Sequence, residues 1–281
     1  MNPRKVWLTA SLAAAPTEHT VADDILAQSD LGMVYGGQET VDKYAANPRI
    51  LPNGPGRSKF LITADCDWRE ALDTIVDSVA DQGGVMCVNA TAVYVEGDPV
   101  ELAEALARRL SALPSLPPED SDAVLPVRQS ASAHALARYL RTQAIGTRAV
   151  LGADGVVHEL GDGSAVLRPA VHVVDSPFAP QLGIELPFPC VWVAPWNRQA
   201  AATPLRDSLV VTAVTHDEAL FETLLADPTI RNLYLGHRPT HWTCVGVPHD
   251  GFLGEFLMRS KGVSTAPASR PVPRSKQMKS A

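Results

Sequence analysis

Gln82-Gly-Gly-Val-Met-Cys87-Val-Asn-Ala-Thr-Ala-Val-Tyr-Val95 is the stretch on which the fold turns. Before it, Trp68 to Ala80 carries apolar residues at 68, 71, 72, 75, 76 and 79, which is helical spacing. After it, the β-branched and aromatic run from Cys87 to Val95 reads as a strand. Asp81 to Gly84 therefore ends a helix, and a thiol follows at the entrance to a strand. Glycines there permit close approach of backbone to a ligand, and free N–H groups nearby can stabilise a thiolate or an oxyanion. The same cysteine also suits a small buried hydrophobe.

Upstream, Leu31–Tyr35 reads as an apolar strand running into Gly36-Gly37 and a polar helix, Glu39–Ala46, which Asn47-Pro48 closes. Lys5–Ala10 is an earlier strand candidate and Val21–Gln28 a helix candidate. This β-α-β-α order predicts a parallel sheet. Leu51-Pro-Asn-Gly-Pro-Gly-Arg57 is a Pro/Gly-rich crossing into a buried strand, Lys59–Thr63. Downstream, Pro99–Leu113 and Ser132–Gln143 read as helices, and Gly146–Pro169 as a hairpin. Val171–Val174 and Cys190–Val193 read as short strands, Asp217–Leu225 as a helix and Ile230–Leu235 as a strand. From Ser264 the chain is Ser-, Pro- and Lys/Arg-rich without periodicity, which predicts a disordered tail over 264–281.

The 281 residues are 46 % hydrophobic and 20 % charged, the balance of a globular protein with a sizeable core. A net charge of −7 argues against nucleic acid and against an anionic membrane surface as partners. The N-terminal stretch Met1–Ala15 makes a poor signal peptide, and no apolar run is long enough to span a bilayer. Cys66, Cys87, Cys190 and Cys244 show no paired spacing, so free thiols in a reducing, cytoplasmic setting are expected. His237, His241 and His249 lie near Cys244 without a zinc signature, and no metal site is expected.

Four short motifs, in order, resemble those of the aldehyde dehydrogenase superfamily. Val34-Tyr-Gly-Gly-Gln-Glu39 resembles the strand-to-helix turn at the cofactor site, and Asn53-Gly-Pro-Gly-Arg-Ser58 the crossing into the catalytic domain. Gly84-Val-Met-Cys87 resembles the Gly-Gln-x-Cys signature that carries the nucleophile, with its Gln absent, and Glu185-Leu-Pro-Phe-Pro-Cys-Val191 resembles a downstream Glu-x-Phe motif. The resemblance implies an α/β fold with an aldehyde dehydrogenase-like catalytic domain over 51–263 and a partial Rossmann-like cofactor domain over 1–50. It makes Cys87 the nucleophile, places Gly36, Gly37, Glu185 and Phe188 beside an NAD or NADP cofactor, and puts Asn53 where hydrolytic members carry a water-activating glutamate. An amide cannot act as a carboxylate base. With Gly54-Pro55-Gly56, that substitution resembles CoA-acylating members and acyl-CoA reductases, which interconvert an acyl thioester and an aldehyde.

The resemblance also implies that the cofactor domain is N-terminally truncated, with few strands before Gly36. That leads us to expect weak dinucleotide binding and an exposed sheet flank covered by self-association or a partner subunit. An inactive, non-catalytic paralogue is the alternative. Arg57 and Lys59 read as surface bases able to meet the phosphates of CoA or a carrier-bound substrate, and Cys87 is expected to alkylate faster than the other thiols.

Overall fold

The computed structural model describes residues 19–258. The Lys5–Ala10 strand, the Met1–Ala15 stretch and the tail from Ser264 lie outside the described residues. Helix α1 (His19–Ala27) leads into strand β1 (Gly32–Tyr35), helix α2 (Gln38–Tyr44) and strand β2 (Ile50–Asn53). β1 and β2 pair in parallel as a separate two-stranded sheet, with Tyr35 opposite Asn53. The sequence predicted only a crossing over β2, because Pro52 and Asn53 obscure so short a strand.

The main sheet is built from β3 (Ser58–Ile62) onward. Helix α3 (Trp68–Ala80) follows it, capped by Asp67, whose side chain accepts from the Arg69 N–H. Strand β4 (Ala90–Val95) and helix α4 (Pro99–Leu110) come next, the helix having Asp98 as its cap and proline at its first position. Strand β4 begins three residues later than the sequence predicted, which leaves Cys87 in the loop before it. Strand β5 (Val127–Gln129), helix α5 (Ser130–Gln143), β6 (Arg148–Leu151), β7 (Val157–Glu159), β8 (Ser164–Leu167) and β9 (Ala170–Val173) occupy the middle of the chain. The predicted 146–169 hairpin is realised only by β7 and β8, which join β5 in a small antiparallel sheet. β6 instead pairs with β9. Strand β10 (Cys190–Pro195), β11 (Ser208–Val214), helix α6 (Glu218–Leu225) and β12 (Ile230–Leu235) complete the unit that ends at Gly251. The unit beginning at Phe252 contains the short helix α7 (Leu253–Leu257).

The seven-stranded sheet has the order β12-β11-β3-β4-β10-β9-β6, parallel throughout except for the antiparallel edge strand β6. Its interior strands are buried on both faces, as a parallel sheet covered by helices requires. Phe60, Ile62, Val93, Val95, Val191 and Val193 project to one face, against Ala71, Ile75 and Val79 of α3 and Leu102, Leu106 and Leu110 of α4. The alternate residues Leu61, Tyr94, Trp192, Val211 and Ala213 project to the other, with Ala133 and Leu140 of α5 and Leu220 and Leu224 of α6. The period of two along each strand thus assigns α3 and α6 to opposite faces. No helix among the described residues is long and apolar enough to cross a membrane.

Candidate functional site

The loop carrying Cys87 is shaped by three successive left-handed residues, Gln82 (φ 50°), Gly83 (φ 74°) and Gly84 (φ 67°). Glycine is required at position 84 twice over. Besides its φ, a Cβ there would stand 2.6 Å from the Pro189 nitrogen and 2.9 Å from the Phe188 carbonyl carbon. Asn89 braces the loop from within. Its Oδ1 accepts from Met86 N–H at 2.7 Å, and its Nδ2 donates to the Ser78 and Asp81 carbonyls, each at 3.0 Å. The Cys87 carbonyl accepts the Ser58 hydroxyl at 3.2 Å.

Against this loop lies the crossing that the sequence singled out. Gly56 packs directly on the Cys87 backbone: a Cβ added there would meet the Cys87 oxygen at 1.8 Å. The Gly56 carbonyl is held by Leu209 N–H at 2.6 Å, so β11 fixes the loop from the other side. Arg57 has φ 48°, and its N–H donates to Glu185 Oε1, while its Nη2 donates to Gln38 Oε1 at 3.1 Å. Asn53 is buried, and its Nδ2 has no hydrogen-bond partner. The Asn53 carbonyl accepts from Gly36 N–H at 3.0 Å. A buried donor without a partner costs stability, and that cost is relieved when a ligand oxygen accepts from it.

The electrostatics favour neutral forms. Burial pushes the Cys87 thiol above its ordinary range, and the carboxylates of Asp250 and Glu185 push it further. Burial likewise raises Glu185, while the backbone N–H of Arg57 pulls it partly back. Tyr35 donates to Asp250 Oδ2 at 3.1 Å and is pushed up to about 12 by burial and that carboxylate. The thiol form of Cys87 is therefore favoured over the thiolate.

Asn53, Gly36, Cys87 and Glu185 thus converge through the crossing loop. Gly37 is the exposed N-cap of α2, with open space around it. Phe188 is fully buried in the core and reaches the cysteine loop through its backbone, beside Gly84. Lys59 departs from the sequence reading. It is not a surface base but is buried, donating from Nζ to the Arg206 carbonyl at 2.8 Å, and burial lowers it to about 8. β3 has neighbours on both sides and is buried along its whole length, so Lys59 is enclosed with it. Tyr35, Ser58 and Asp250 were not singled out from sequence. Tyr35 had a signal in preceding the double glycine, whereas Asp250 approaches from a turn far along the chain.

Solved structures share the fold. Lactaldehyde dehydrogenase from Escherichia coli superposes with a TM-score of 0.62 at 20 % identity, over 75 % of this chain and 46 % of that one. A putative methylmalonate-semialdehyde dehydrogenase from Sinorhizobium meliloti, complexed with NAD, gives 0.65 at 18 % identity, over 78 % of this chain and 48 % of that one. The glyceraldehyde-3-phosphate dehydrogenase GapN of Methanocaldococcus jannaschii, complexed with NADP, gives 0.65 at 15 %, over 80 % and 50 %. At these identities the likeness is one of fold, and the chain spans about half the length of the structures it matches. No curated protein matches the sequence. The aldehyde dehydrogenase family profile matches residues 17–201, a span that includes β1, the crossing, the cysteine loop and the Glu185 segment. On that match, which covers well over half of its length, the chain belongs to the aldehyde dehydrogenase family.

Proposed function

We propose that this chain carries the thiol chemistry of an NAD(P)-linked oxidoreductase that interconverts an acyl thioester and an aldehyde through Cys87. In this reading residues 51–263 form the catalytic part, and residues 1–50 belong to the cofactor side. The observation that carries it is Asn53, a buried amide with an unpartnered Nδ2, at the start of the crossing whose Gly56 packs on Cys87. Hydrolysis of a cysteine thioester needs a base to activate water, and an amide supplies none. Exchange with a second thiol such as CoA has no such need, because the incoming nucleophile is itself a thiol.

The residues fit a nicotinamide cofactor at its reactive end. Glu185 has spent one acceptor site on Arg57 N–H, and a carboxylate offers about four, so acceptors remain for a ribose hydroxyl. The open space at Gly37 leaves backbone accessible at the start of α2. A bound reduced nicotinamide supplies the hydride. The chain's own residues do the rest. Cys87 Sγ attacks the thioester carbonyl, its proton passes to the departing CoA sulfur, and the acyl group is left on Cys87. Asn53 Nδ2 donates to the carbonyl oxygen as negative charge gathers there. When the aldehyde leaves, the electron pair returns to Cys87 Sγ, which regains a proton.

The test is a chase. The acyl-enzyme would be formed from a medium-chain acyl-CoA, located on Cys87 by mass mapping, then released into buffer with or without CoA. Release should be faster with CoA, and Asn53→Glu should raise release into buffer alone. Fast release by the unmodified protein, indifferent to CoA, would contradict the proposal.

A further inference from the structure

At the opposite end of β3 from Ser58, the strand runs out through Thr63 to Asp65 and Cys66, beside the end of its neighbour β11, which runs out to His216. These two strands mark a reversal in the sheet. From β3 the chain crosses by α3 to β4, and from β11 it crosses by α6 to β12, in the opposite direction and on the opposite face. In a parallel sheet such a switch point opens a crevice at the carboxyl ends of the strands, where ligands bind.

Three donor atoms of different chemistry meet in that crevice. Cys66 Sγ lies 3.4 Å from His216 Nδ1, and Asp65 Oδ2 lies 3.5 Å from the same nitrogen. All three ligand atoms fall within 4.8 Å of one another. Tetrahedral zinc binds sulfur at about 2.3 Å and nitrogen and oxygen at about 2.0–2.2 Å, so its ligand atoms stand about 3.4–3.6 Å apart. These two separations match those edges. The carboxylate is already oriented: Asp65 Oδ2 accepts from His216 N–H at 2.8 Å, and Asp65 Oδ1 accepts the Thr63 hydroxyl. Such outer hydrogen bonds are what aim a ligand at a metal. Around them stand Glu96 and Asp217, both bridged by Arg198, which also approaches Asp65 at 3.9 Å.

The geometry points to a site for a borderline-soft divalent cation, zinc in the first instance, held by Asp65, Cys66 and His216 with the fourth tetrahedral place open to water. Thiolate and imidazole ligands select zinc or cobalt over magnesium or calcium. Coordination would release the Cys66 proton, since only the thiolate ligates.

The test uses the full chain, free of any histidine tag, loaded with zinc and dialysed, then loaded separately with cobalt. We expect about one zinc retained per chain and a thiolate-to-cobalt charge-transfer band. Cys66→Ser and His216→Ala should each lose the retained zinc, and Cys66→Ser should abolish the band. Cys87→Ser and His241→Ala, outside the cluster, should keep both. All these sites except Cys87 are near the surface, and circular dichroism checks that each variant is folded. Failure of the native chain to hold zinc against dialysis, or retention of the band in folded Cys66→Ser, overturns the assignment.

Discussion

Gly56 and Cys87 touch backbone to backbone, so closely that a single added methyl group on Gly56 would lie 1.8 Å from the Cys87 carbonyl oxygen and 2.7 Å from its carbonyl carbon. The crossing loop and the cysteine loop therefore set each other's position. Gly56→Ala must push one of them away, because backbone atoms cannot rotate aside as a flexible side chain can. We expect a loss of about 2–3 kcal/mol in urea unfolding, with a changed rate of Cys87 alkylation. Gly183→Ala, where the new methyl meets nothing within 4 Å, should stay within about 0.5 kcal/mol. Equal stability of the two variants would show that the contact is unimportant.

Thiol reactivity follows the local charges. From sequence, Cys87 was expected to label first; exposure and local charge favour Cys244 instead. Cys244 is exposed, Cys190 is buried, and Cys87 is half-buried with its thiol raised by burial, Asp250 and Glu185. Cys244 should therefore label first with iodoacetamide, and Cys87 labelling should climb only above the usual thiol midpoint of about 8.5. Removing a nearby negative charge makes the thiolate easier to form. Asp250→Asn and Glu185→Gln should each shift the Cys87 profile to lower pH, Asp250→Asn by more. Mass mapping across a pH series measures this, and an upward shift in either variant would refute the electrostatic account.

Lys59 links stability to pH. Burial lowers its ammonium to about 8, against about 10.4 in an unfolded chain. Between those values the unfolded chain holds the proton and the folded chain has released it, so stability rises with pH across that window. Below it, the buried charge costs on the order of 3 kcal/mol. Lys59→Met removes this dependence but leaves the Arg206 carbonyl without its donor, a penalty of about 1–3 kcal/mol at every pH. The readout is thus the difference between native and variant unfolding energies, which should widen in favour of the native chain as pH rises from about 8 to 10. A constant difference would mean that Lys59 titrates normally.

Much of the fold was legible because the helices announce themselves. Asp67 and Asp98 cap α3 and α4, and the apolar spacing of each helix follows. Strand β11 was not. Ser208-Leu-Val-Val-Thr-Ala-Val214 is buried at every position, so no alternation marks it, and sequence alone gave no pairing partner. Yet β11 holds Gly56 through Leu209 and supplies the end from which His216 projects. The 146–169 segment was read as one hairpin because of its Gly-rich turns, whereas β6 pairs with β9. In the site, Cys87, Asn53, Gly36 and Glu185 were legible as motif residues. Asp250 and Ser58 were not, because their relation to Cys87 exists only in three dimensions.

The bond from Arg57 N–H to Glu185 spans 128 positions of sequence. Contacts that distant form late, because the intervening chain must first be ordered at a large entropic cost. A nascent chain that has emerged only as far as α5 already contains Asn53, Gly56 and Cys87 but lacks the carboxylate that closes the crossing over them. During synthesis the crossing therefore lacks its Glu185 and Leu209 partners until β10 and β11 have been made. In the role proposed for Cys87, its chemistry would switch on with the last steps of folding rather than with the making of the cysteine itself.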